Sequence, residues 1–268
     1  MGPPTDSAAS RPVLRAGPPR FLIETNASNR NAYLNRAPAA ADDYGYLATM
    51  LTYQTRWGLF GGLYLNHSFG LNRQLIDDTE TTLGFARSSG VSEWSVQYVH
   101  LFVNAQSGLL KGSITDNLET NIDHDFDLVQ ASLTADLFLG NRRDVALTAD
   151  LGHSFYLPAF GTDTLTIRPT VELGLGTQNF YAAELARPVR QRTSTFKKHN
   201  KNGIAYADTL TPPGFGLTGY TFSLPLSLDN GRTSFSLTPA YLVPVRVPEW
   251  GNVKPFFYLT AGLSRWFW

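Results

Sequence analysis

The chain has 268 residues, with 22 basic against 22 acidic side chains, 13% aromatic and only 16% charged residues, and no cysteine. Zero net charge leaves no basic stripe to displace counterions from phosphates, so nucleic acid is excluded as a partner. The lack of cysteine removes disulfides, thiolate metal sites and cysteine nucleophiles.

No run approaches the ~18 apolar residues that a membrane-spanning helix requires. A chain that is rich in aromatics and poor in charge, yet lacks such a run, fits a transmembrane β-barrel, whose strands show only alternate residues to lipid. Residues 1–20 carry Pro3, Pro4, Pro12, Pro18 and Pro19 without an apolar stretch. They read as a flexible N-terminal tail and not as a signal peptide, with the barrel over 21–268.

In chain order, the first strands are expected over Phe21–Ala27, Gly45–Thr55, Gly58–Phe69, Thr81–Arg87 and Glu93–Val103. Long connections separate some of them, roughly Ser28–Asp43, Gly70–Glu80 and Asn104–Asp125. The last runs into the acidic stretch Asp116, Glu119, Asp123, Asp125 and Asp127, whose spacing matches no EF-hand loop. The clearest alternation follows over Leu128–Leu139, where Val129, Ala131, Leu133, Ala135 and Leu137 oppose Gln130, Ser132, Thr134 and Asp136. Asn141–Asp144 turns the chain, and Val145, Leu147, Ala149, Leu151 and Phe155 continue the apolar face against Thr148, Asp150 and Ser154.

Leu165–Thr177 places Ile167, Val171 and Leu173 opposite Thr166, Arg168, Thr170 and Glu172. The connection Phe180–Pro213 is long. A strand over Arg190–Lys198 inside it gives a consistent alternation of short turns and long loops, and 12 strands in all; without it, and with Thr81–Arg87 as loop, there are 10. Tyr220–Leu228 and Phe235–Tyr241 flank Asp229-Asn230-Gly231, a hairpin signal. Pro255–Trp268 closes the chain, with Arg265 on its lipid side and a terminal Trp-Phe-Trp. A soluble sandwich also alternates. Here the polar face is Ser/Thr with few Lys or Glu, and aromatics gather at strand ends as membrane girdles require. The fold expected is all-β, a closed antiparallel transmembrane barrel of 12 strands, in a bacterial outer membrane, with short turns and C-terminus periplasmic.

Segments of the C-terminal third carry a family likeness: Tyr220–Leu226, Leu242-Val243-Pro244-Val245 and Phe256–Ser264, together with Gly176–Tyr181. They resemble outer-membrane β-barrel proteins of the Bacteroidota type. The resemblance covers about the last hundred residues well and implies location and fold, but no catalytic residue.

Four inward charges, Asp136, Asp150, Arg168 and Glu172, point to a lumen charge network, either a plugging salt-bridge cluster or a selective constriction. His67, His100 and His153 each precede a Phe by two residues in the lipid-facing register. The 12-strand order sets all three at one height near the outer rim, as belt residues or as contacts for lipopolysaccharide phosphates. A basic loop holds Arg187, Arg190, Arg192, Lys197, Lys198 and Lys201 and reads as a solvated loop or as a contact for lipopolysaccharide or an acidic partner.

No phosphate loop, nucleotide fingerprint or zinc motif occurs. His67-Ser68 and His153-Ser154 are neighbours on a strand, so their side chains point to opposite faces and neither is a nucleophile–base pair. No metal, cofactor or catalytic residue is expected, and the expected partners are outer-membrane lipid, lipopolysaccharide and other outer-membrane proteins. The reading is a non-enzymatic scaffold or accessory subunit, with a narrow passive channel and a lipid hydrolase or acyltransferase as alternatives.

Overall fold

The computed structural model describes residues 19–29, 45–69, 76, 78–103, 114–140, 142–159, 163–177, 179, 214–245 and 254–267. The strands are β1 (Arg20–Ser28), β2 (Tyr46–Gln54), β3 (Leu59–Ser68), β4 (Asp78–Ser89), β5 (Ser92–Val103), β6 (Ile114–Asp125) and β7 (Gln130–Gly140). Then come β8 (Arg143–Gly152 with Phe155–Pro158), β9 (Thr164–Ile167 with Thr170–Gly176), β10 (Gly216–Ser223 with Leu226–Asp229), β11 (Thr233–Pro244) and β12 (Phe256–Phe267).

Each strand pairs antiparallel with the next, and β1 pairs with β12 from Phe21↔Phe267 to Ser28↔Thr260. The result is a closed 12-strand antiparallel β-barrel. Closure leaves no edge with unpaired backbone groups, the condition for crossing hydrocarbon. The interruptions in β8, β9 and β10 do not break the strands. The pairings Thr170↔Gly152 and Ile167↔Phe155 belong to one register, as do Thr170↔Ser223 and Ile167↔Leu226. Pro169 and Pro225 lack the N–H that a ladder needs, which accounts for the gaps at adjacent heights.

Burial is inverted relative to a soluble protein. Leu133 is 43% exposed while Thr148 on the neighbouring strand is 3% exposed. Val129, Leu151, Leu173 and Leu224 are exposed on the same outer face, and Thr134, Thr170, Thr221, Thr238 and Thr260 are buried within. A soluble sandwich would bury the leucines; an apolar exterior around a polar interior is what lipid demands. Arg265 lies on the outer face, 5.3 Å from the ring centroid of Phe267.

The strand count of 12 stands, but one of the expected strands is replaced. The stretch expected as a loop and acidic run within 104–127 contains β6, while Arg190–Lys198 lies outside the described residues, as do residues 1–18. β9 pairs directly with β10, so the ring closes without a strand between them. Thr81–Arg87 is the middle of the longer β4.

Candidate functional site

The two mouths of the barrel differ in the length of their connections. At one end lie the turns after β2, β4, β6, β8 and β10, spanning 55–58, 90–91, 126–129, 159–163 and 230–232, together with the start of β1 and the end of β12. At the other lie the connections 29–45, 69–77, 104–113, 177–215 and 245–255, with the short 141–142 turn as an exception. Asn141–Asp144 therefore belongs to the long-loop end, contrary to expectation.

The lumen gathers the first set of candidate residues. Glu172 and Asp150 are Cα partners across β8 and β9. Arg168, four residues before Glu172 on β9 and on the same face, sets a guanidinium nitrogen 3.4 Å from Asp150; their side chains are 27% and 3% exposed. Gly152 makes room for this contact, since a Cβ there would stand 2.9 Å from Arg168 Nε and 2.8 Å from the Thr170 hydroxyl. Asp136 does not join this group. It accepts a 2.8 Å hydrogen bond from Asn117 and is the Cα partner of Glu119 on β6. The four expected charges thus fall into a cluster on β8–β9 and a separate carboxylate pair on β6–β7.

Strand β6 supplies acids that sequence alternation did not assign to the lumen. Asn117, Glu119, Asn121 and Asp123 face inward, and Glu93, Asp123, Ser132, Asp150 and Glu172 lie in one register row across five strands. A second inward group comes from β1, β3 and β4. Glu24 accepts a 2.7 Å hydrogen bond from Asn26, Asn66 is the Cα partner of Asp78, and Glu80 shares a register row with Tyr64, Met50 and Glu24. The wall formed by β10–β12 is neutral, with Thr218, Thr221, Thr238 and Thr260 buried. The signal for all of these was present as alternation, but it was diluted wherever the lipid side carried few aliphatics.

On the outer surface the three histidines do not share a height. His67, paired with Leu47, and His100, paired with Asp116, lie at the long-loop end. His153 lies at the short-turn end, where its Nδ1 donates to the Leu128 carbonyl at 2.6 Å. The common level expected from the strand order is wrong because β8 runs opposite to β3 and β5. A fourth pair of the same kind was overlooked, His124 with Phe126, at the short-turn end. Ring centroids are 5.1 Å apart for His67–Phe69, 4.6 Å for His100–Phe102, 4.1 Å for His124–Phe126 and 4.5 Å for His153–Phe155.

Two imidazoles have side-chain partners that bear on catalysis. His100 Nδ1 lies 2.7 Å from Asp116, which also accepts from the hydroxyls of Thr115 and Tyr98. His124 Nδ1 lies 2.7 Å from Ser92 Oγ. Acyl transfer needs a nucleophile, a base and an orienting acid at one place. Here the carboxylate is at one mouth of the barrel and the serine at the other. Among the described residues no three histidine or acidic side chains converge on a metal position. The basic loop residues Arg187, Arg190, Arg192, Lys197, Lys198 and Lys201 lie outside the described residues.

The chain matches no protein-family model and no curated protein sequence. Solved structures do match over nearly the whole chain. The KdgM porin aligns with a TM-score of 0.51 at 8% identity, covering 91% of this chain and 98% of that one. This is the fold of outer-membrane β-barrels. A COG4313 outer membrane channel from Pseudomonas putida F1 aligns with a TM-score of 0.48 at 12% identity, covering 94% and 96% of the two chains. LpxR from Salmonella typhimurium aligns at 0.47 and 10% identity, covering 92% and 100%.

Proposed function

We propose that this barrel is a non-enzymatic protein of the bacterial outer membrane that works as a narrow passive channel for small hydrophilic solutes. The observation that carries the reading is a polar belt inside a closed ring, bordered towards the long-loop end by the inward apolar clusters Val99, Leu101, Ile114 and Phe138 and Leu242, Phe256 and Tyr258. The Glu93–Glu172 row lies on one wall and Thr221, Thr238 and Thr260 on the other. Such a lining exchanges hydrogen bonds with a solute stripped of part of its water. The fold shared with a porin supports it.

The short-turn end, with the start of β1 and the end of β12 beside it, is the periplasmic one in this reading, because barrels of this class keep long loops outside. His67 and His100 then face the outer leaflet, where lipopolysaccharide phosphates are partners for an imidazole, and His153 faces the inner one.

A second reading, the scaffold or accessory subunit, is favoured by the tightness of the lumen: Asn117 is 0% and Glu80 1% exposed. Conductance of the purified chain in planar bilayers decides between them. Steady openings of ion size are expected from the channel. Their absence, together with a stoichiometric partner that co-purifies in mild detergent, would establish the scaffold instead.

A further inference from the structure

We infer that the lumen selects small cations over anions and that Asn66, Asp78 and Glu80, inside the long-loop mouth, form its contact point for them; this rests on the channel reading above. Carboxylates outnumber cations on the described inner wall. Glu93, Asp123, Asp150 and Glu172 line one side towards the short-turn end, and Asp78 and Glu80 line β4 by the other mouth. Arg20 and Arg168 are the inward cations among the described residues, and Arg168 is already engaged by Asp150.

Acidic residues alone would describe only an internal network. The second observation concerns acceptors. Asn66 is 4% exposed, sits beside Asp78 in the β3–β4 register, and no donor reaches its Oδ1. Glu24 Oε2, beyond Tyr64 and Met50 in the Glu80 register row, has none either among the described residues. A buried acceptor without a donor forfeits a hydrogen bond, and such atoms commonly mark the place of a water or an ion. The missing chemistry is a donor, and a cation brings one as an N–H group or as its own hydration water. An anion would meet Asp78 and Glu80 at close range and be repelled.

The test is the reversal potential of the full chain in planar bilayers of uncharged lipid under a KCl gradient. A potassium-over-chloride permeability ratio above ~3 is expected, falling at least ~2-fold in the Asp78→Asn/Glu80→Gln double variant and unchanged in Leu133→Val on the exposed outer face. If the double variant fails to form a heat-modifiable barrel, Glu80→Gln alone should show a smaller fall in the same direction. Currents that are unselective or prefer chloride overturn the cation inference and leave the channel intact. A selective current that ignores these substitutions overturns the contact point. No current from a correctly folded barrel overturns the channel reading and this inference with it.

Discussion

Arg168 contacts one of two acids whose backbone positions face each other, so its removal and theirs are not equivalent. Without Arg168, Asp150 and Glu172 confront one another inside a confined lumen. Without Glu172, the Asp150–Arg168 contact remains. Breaking a buried pair on its compensating side costs more than trimming a surplus charge. Arg168→Ala should therefore lower stability by roughly 2 kcal/mol and Glu172→Ala by less than about 1 kcal/mol, Arg168 being partly exposed. Thermal melts of both variants in one detergent check this, and an equal or reversed order would dissolve the cluster. At this scale the sequence was half informative. Alternation placed Asp150, Arg168 and Glu172 on adjacent inner faces, but which of them touch depends on register, and register follows from pairings that no single strand encodes.

Among the elements, β7 was legible and β6 was not, for a physical reason. On β7 the lipid side is Leu133, Ala135, Leu137 and Leu139 against Ser132 and Thr134, a plain period of two. On β6 the lipid side offers Leu118 and Ile122 between Thr120 and His124, and the inner side is acidic. Asp116 faces outward in the same alternation, towards Tyr98 and His100, and a register shift before it turns Ile114 inward. An acidic run with two aliphatics looks like a loop. Turns were read more easily, because their glycines do specific work. Gly58 has φ +93° and its missing Cβ would lie 2.1 Å from the Ala86 carbonyl oxygen, whereas Gly90 has φ +63° with nothing within 4 Å. Alanine at 90 meets only the left-handed penalty of ~1–2 kcal/mol. Alanine at 58 adds a backbone clash across β3–β4, so Gly58→Ala should melt several degrees below Gly90→Ala. Equal melting temperatures would mean that the turn after β2 moves freely away from β4.

For the whole molecule, one missed strand reverses the direction of everything after it until another strand in the count restores the parity. Overlooking β6 inverted β7, β8 and β9, which misplaced His153 and the 141–142 turn. Counting Arg190–Lys198 set β10 to β12 right again. The fold class survived because closure and face depend on alternation within strands, while sidedness depends on counting them. Sidedness can be measured directly, since the chain has no cysteine and any introduced thiol is unique. Arg142 and Lys254 are exposed at the long-loop end, and Ser89 is exposed at the short-turn end. If the long loops face outward, a membrane-impermeant maleimide should label Arg142→Cys and Lys254→Cys on intact cells. Ser89→Cys should label only after the outer membrane is permeabilised. Arg142 is the discriminating site: it sits in a short turn, so a rule based on turn length alone would put it in the periplasm, while the strand order puts it outside. Labelling of Lys254→Cys without Arg142→Cys on intact cells would contradict the strand order from β6 to β8. Labelling of Ser89→Cys alone would leave the barrel intact and turn it over in the membrane.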